Sequence, residues 1–154
     1  MAKKFKLAAL LRVRRIMEDK KKREFGDALR EWITATQERD EIDRRIAAAQ
    51  QAYNEHAVGG ITIDELRLRE THLMMLRQNR LMQEVVILQA AQKRDWVREE
   101  LIEATRRRQV VEKLKEKFTI RVNYETNKQA EKQLAETALL RFARRTAEQE
   151  SGRS

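Results

Sequence analysis

The residues that most constrain this fold are 59–66, GGITIDEL, in a chain of 154 residues that has four glycines and no proline. Gly59 and Gly60 supply the left-handed backbone that ends a helix, because a residue without Cβ adopts it at little steric cost. Thr62, followed three residues later by Glu65, is a capping box for a helix that starts next. Ile61 and Leu66 have the spacing of a hydrophobic staple, and Asp64 and Glu65 set negative charge at the positive end of the new helix dipole. One helix must end here and another begin.

On the amino-terminal side, Phe25, Leu29, Trp32 or Ile33, Ile42, Ile46 and Tyr53 recur at helical spacings among Arg, Glu, Asp and Gln. One narrow apolar stripe calls for one neighbour. Beyond the turn, Leu66, Leu73, Leu76, Val97, Leu101, Val110, Val111, Leu114 and Phe118 continue the pattern, with no proline or glycine before Gly152. With 38% charged and 5% aromatic residues and a mean hydropathy of −0.79, the chain is too polar for a thick core. Its periodic apolar residues separate it from a disordered chain of similar composition. The expectation is one all-α coiled-coil domain over 1–154: an antiparallel two-helix hairpin with helix one over about 4–57, a turn at about 58–62, helix two over about 63–148 and a short disordered tail.

KFTIRVNYE alternates Phe118, Ile120, Val122 and Tyr124 like a strand. It has no flanking turn residues and no second strand to pair with, so it is read as a weaker piece of helix. At 1.5 Å per residue the two helices would measure roughly 80 and 130 Å. Folding at residue 60 brings positions whose numbers add to about 121 side by side, pairing Tyr53 with Leu68, Phe25 with Trp96, Leu10 with Val111 and Phe5 with Glu116. Some thirty residues of helix two then extend past helix one without a partner. Because the turn lets one chain supply both strands, a monomer is expected.

The net charge of +9 is uneven. Residues 1–25 carry ten basic and three acidic groups, 26–60 four and seven, 61–105 seven and eight, and 106–154 thirteen and seven. The hairpin therefore collects +13 at its open end and −4 at its turn end. EDKKKRE at 18–24 should lie opposite RRR at 106–108, concentrating like charge where repulsion costs stability unless an acidic or polar cavity receives it. Near the turn, ten of the sixteen residues in LMMLRQNRLMQEVVIL, 73–88, are apolar, more than a two-helix seam uses. They form either an adaptable binding surface rich in methionine or a core thickened by dimerisation.

The chemistry of enzymes is missing. There is no glycine-rich phosphate loop, nucleophile elbow or HExxH, no cysteine, and only two histidines, His56 and His72, which make a poor metal site. Trp32 and Trp96 are read as seam residues. No apolar run reaches the ~18 residues of a membrane span, and the acid-free first seventeen residues lack the serines of a targeting peptide, so they are read as part of the mature protein. The absence of cysteine fits a reducing compartment. A non-enzyme without cofactor or small-molecule substrate is expected.

FKLAALLRVRRIMEDKKKREF, the GGIT turn, VEKLKEK and KQLAETALLRFARR, in this order and spacing, resemble the flagellar export protein FliJ family over nearly the whole chain. The resemblance implies a stalk and coupling protein of the bacterial flagellar type III export apparatus. Such a protein is cytoplasmic and peripheral to the inner membrane, lodges its open end in the hexameric export ATPase, contacts the membrane export gate and escorts export chaperones. On this reading Arg14, Arg15, Lys21, Lys22, Arg106, Arg107 and Arg108 bind the ATPase. The family's gate-contacting surface falls on His72, Leu76, Asn79 and Gln83, with Leu73, Met75 and Met82 as further apolar contacts for gate or chaperone. Only Leu76 of the first four has apolar character. Gly59, Gly60, Thr62 and Glu65 form the turn.

Three other readings compete. The injectisome counterpart of the stalk needs the same shape. A pI of 10.1 with KKKR and RRR clusters suits a nucleic-acid binder, although interleaved acids and a second helix beside the basic end count against it. Residues 3–17 mix apolar and basic side chains as a membrane-surface helix does, but the two kinds do not separate around the helix, so membrane contact is expected to be indirect.

Overall fold

A computed structural model describes residues 3–153 and shows two helices, α1 (Ala8–Val58) and α2 (Ile63–Ser151), with no strand among the described residues. The chain is an all-α helical hairpin, as the turn and periodicity require. α1 starts four residues later than expected, and α2 continues to Ser151, where Gly152 follows. KFTIRVNYE is helical throughout.

At the turn, the Gly59 amide donates to the His56 carbonyl at 3.2 Å, and Gly60 alone has positive φ, at 87°. The expectation that both glycines adopt the left-handed region is therefore corrected: Gly59 closes the last helical turn and Gly60 reverses the chain. The Glu65 amide then donates to Thr62 Oγ1 at 3.3 Å, so Thr62 caps α2, and Ile61 and Leu66 are both half-buried.

Two compact units divide the chain, Arg15–Arg106 and Met1–Arg14 with Arg107–Ser154. In Arg15–Arg106, the α1 residues kept from full exposure include Glu18, Lys21, Phe25, Ala28, Trp32, Ala35, Arg39, Ile42, Ile46, Ala49 and Tyr53. Their spacing alternates strictly between three and four, the heptad of a coiled-coil seam. On α2 the same alternation runs Leu66, Arg69, Leu73, Leu76, Arg80, Gln83, Ile87, Ala90, Arg94, Val97, Leu101 and Ala104. Small and polar residues are built into it. Ala28 and Ala35 are almost fully buried, and Gln83 Nε2 donates to the Ala35 carbonyl at 2.9 Å, which requires close approach of the two helices. Arg94 lies over the Trp32 ring at 4.6 Å, and Arg80 Nε bonds Asp43 at 2.5 Å.

In the other unit, Leu11 and Val111 are buried and Phe5 packs on Phe118 with centroids 5.5 Å apart. Lys3 pairs with Glu125 at 2.6 Å. Phe5 thus meets Phe118, two positions beyond the expected Glu116, while the pair of Lys21 with Glu100 falls on the expected register. From Thr126 to Arg153 every residue is exposed. Trp96, expected in the seam, is 68% exposed on the helix surface.

Candidate interaction surfaces

The basic residues singled out for partner binding divide into two kinds. Lys21 is half-buried and bonds Glu100 on α2 at 2.5 Å and Glu24 at 2.9 Å. These hydrogen bonds, to Glu100 first, raise the Lys21 pKa above 10.5, and Lys21 in turn is the main reason that the Glu100 carboxyl lies below 4.5, with a smaller contribution from the Trp96 indole. Lys22 pairs with the buried Glu18 at 2.9 Å, and Arg108 with Glu112 at 2.5 Å. Arg14 is half-buried, with Nε enclosed and unbonded. Arg15, Arg106 and Arg107 are exposed. Arg14, Arg107 and Arg108 belong to one unit and Arg15, Lys21, Lys22 and Arg106 to the other.

A different set of cations is open. Lys4, Lys6, Lys117 and Arg121 rim a groove floored by Phe5, Leu7, Leu114 and Phe118. Lys4, Lys6 and Lys117 have no ion-pair partner among the described residues, and Arg121 sits 5.9 Å over the Phe118 ring. The signal in the sequence is the pair KKFK at 3–6 and KEKF at 115–118, which the antiparallel register folds together. Further along α2 the unpartnered segment exposes Leu134, Leu139, Leu140 and Phe142 beside Arg141, Arg144 and Arg145.

The residues singled out on the methionine-rich stretch also divide. Leu76 is 7% exposed and Leu73 half-buried, both in the α2 seam that faces α1, and Gln83 is bonded to Ala35 and Glu38. His72, Met75, Asn79 and Met82 are exposed and follow one another at spacings of three and four, so they form one outward stripe. His72 also borders a shallow groove with Arg45, Ala49 and Leu68. No group of three or more His, Cys, Asp or Glu gathers among the described residues, and no helix there is long and apolar enough to cross a membrane.

The described residues, a two-helix hairpin with shallow surface grooves and a segment exposed on every side from Thr126 on, define the class of long coiled-coil hairpins. Within that class, a family model described as the flagellar FliJ protein matches residues 3–147, and the chain belongs to the FliJ family. Membership makes it a flagellar export apparatus protein. No curated protein and no solved structure matched it.

Proposed function

We propose that this chain is the stalk of the flagellar export ATPase, inserting residues 126–151 and the basic Phe5–Phe118 groove into the hexameric ring and contacting the membrane export gate through His72, Met75, Asn79 and Met82. The observation that carries the reading is the stretch from Thr126 onward, helical to Ser151 yet exposed on every side. A lone helix of this kind gains nothing from tertiary packing, the usual source of helix stability, and its Leu134, Leu139, Leu140 and Phe142 remain in water. An enclosing partner supplies both the packing and the burial. The cations around it suit an acidic lining and would draw the partners together at long range. Insertion supports ring assembly, while the methionine-rich stripe suits an adaptable contact with the gate or with export chaperones.

The test replaces Leu134, Leu139 and Phe142 with asparagine in the full chain and measures capture of the export ATPase and stimulation of its ATP hydrolysis. All three side chains are exposed, so the hairpin should keep its helical circular dichroism while both readouts fall. Undiminished capture would remove the insertion reading.

A further inference from the structure

α2 carries a second heptad stripe that its partner helix does not touch. Thr71, Met74, Gln78, Leu81, Val85 and Leu88 alternate at spacings of three and four, the spacing of a coiled-coil seam, and all are exposed. At 100° per residue their centre lies about 170° around the helix from Leu76, which is buried against α1. Met74 and Leu81 are 68% and 67% exposed. A shallow groove runs from this stripe to the edge of the seam, lined by Glu70, Leu73, Met74, Arg77, Gln78 and Leu81. The helix is thus two-sided, and only one side is used within the chain.

What the second side fits is written in its flanks. If two copies run antiparallel about a two-fold axis between residues 79 and 80, Thr71 meets Leu88, Met74 meets Val85 and Gln78 meets Leu81 of the other copy. Those three layers are then repeated in reverse. In this register Arg77 on the edge of one stripe faces Glu84 of the other copy, and the symmetry forms the pair twice. On the opposite edge Met75 faces Met82. Both charges are in place for this. Arg77 is exposed with no ion-pair partner among the described residues, and Glu84, about two-fifths exposed, has Arg39 and Arg80 only at 3.9 Å. One edge is complementary in charge and the other brings two methionines together, as a self-matching interface requires.

We infer that the 71–88 stripe of α2 is a self-association surface through which two copies of this chain pair antiparallel. The hairpin closes its own seam without a second chain, so pairing adds to the fold rather than completing it. The inference does not rest on the gate reading, since it concerns the protein alone. With fewer than three heptads in the interface, the dimer is weak and concentration-dependent.

Sedimentation equilibrium of the full chain from about 1 μM to about 500 μM, within the range of weak association, should show the mass rise from 18.3 kDa toward twice that value. Arg77→Glu turns both charge pairs into like-charge contacts and should weaken association by about tenfold or more. Leu81→Asn should weaken it similarly, and circular dichroism should show both variants as helical as the original, because Leu81 faces away from α1 and Arg77 is exposed at the edge of the stripe. Orientation is read by disulfide trapping, since the chain has no cysteine of its own. A mixture of Met74→Cys and Val85→Cys chains should cross-link readily. Each alone should not, because identical positions lie roughly 16 Å apart along the axis. A constant single-chain mass, association indifferent to Arg77→Glu and Leu81→Asn, or cross-linking within each variant alone would each overturn the inference.

Discussion

At residue scale the turn assigns different work to two adjacent glycines. Gly60, at φ 87°, is in a region where an L side chain is strained, although a Cβ there would have open space. Gly59 has no positive φ, and a Cβ would make an ordinary 3.8 Å contact with the His56 carbonyl. Gly60→Ala should therefore cost about 1–2 kcal/mol, whereas Gly59→Ala should change stability by no more than about 0.5 kcal/mol. Thr62→Ala, which removes the bond to the Glu65 amide, should cost about 1 kcal/mol. Urea unfolding followed by circular dichroism ranks the three, and equal effects from the two glycines would mean that the turn is not held by the Gly60 backbone. The turn was legible because glycine pair, cap and staple agree, but nothing in a Gly-Gly pair says which residue takes the unusual conformation. Trp96 was misplaced for a related reason. Size and hydropathy suggest burial, yet its indole contributes to the low pKa of Glu100 from the helix surface.

At the scale of the elements, the heptad is more regular in space than in the sequence. Phe25, Trp32, Ile42, Ile46 and Tyr53 announce it, but Glu18, Lys21, Ala28, Ala35 and Arg39 occupy the same seam, and a hydropathy pattern passes over them. Lys21, one of the cations assigned to the ATPase, is in this way also a cross-helix partner of Glu100. Ala28 is 1% exposed where the helices approach, so Ala28→Leu should overpack the seam and cost about 1–3 kcal/mol, read by thermal unfolding. The ion pairs give the fold's stability a pH window. Glu100 is held below 4.5 by Lys21, Glu41 by Arg44 and Glu125 by Lys3. Each such pair contributes above the ordinary carboxylate range and is lost as pH falls through the lowered value. Lys21, raised above 10.5, contributes below that value and loses its contribution as pH rises through the raised one. Melting temperature should be flat between about pH 5 and 10 and fall on either side. Lys21→Ala should blunt the acid limb, and an acid limb unchanged in that variant would show that this pair does not couple to folding.

For the whole molecule, the charge divides with the two compact units. Met1–Arg14 with Arg107–Ser154 carry 17 basic and 7 acidic groups, +10, while Arg15–Arg106 carries 17 and 18, −1. Segment counts along the sequence already showed a basic excess toward both termini. They could not show which cations are neutralised, because that depends on a register good only to a few residues: Lys21, Lys22 and Arg108 are paired, while Lys4, Lys6 and Lys117 stand around the Phe5–Phe118 groove. The stalk reading places the ATPase contact on this second set. Lys4→Glu, Lys6→Glu and Lys117→Glu together should weaken capture of the export ATPase by about tenfold or more at low salt. The difference should shrink as salt rises, since the screening length falls to about 3 Å at 1 M. Capture of the gate should be untouched. Met75→Ser with Met82→Ser should have the opposite profile, weakening gate capture with little dependence on salt because apolar burial is not screened. Pull-downs of both variants against both partners at two ionic strengths separate the cases. If both variants weakened one partner alike, or if the lysine effect persisted undiminished at high salt, the assignment of a charged surface to the ATPase and an apolar one to the gate would be wrong.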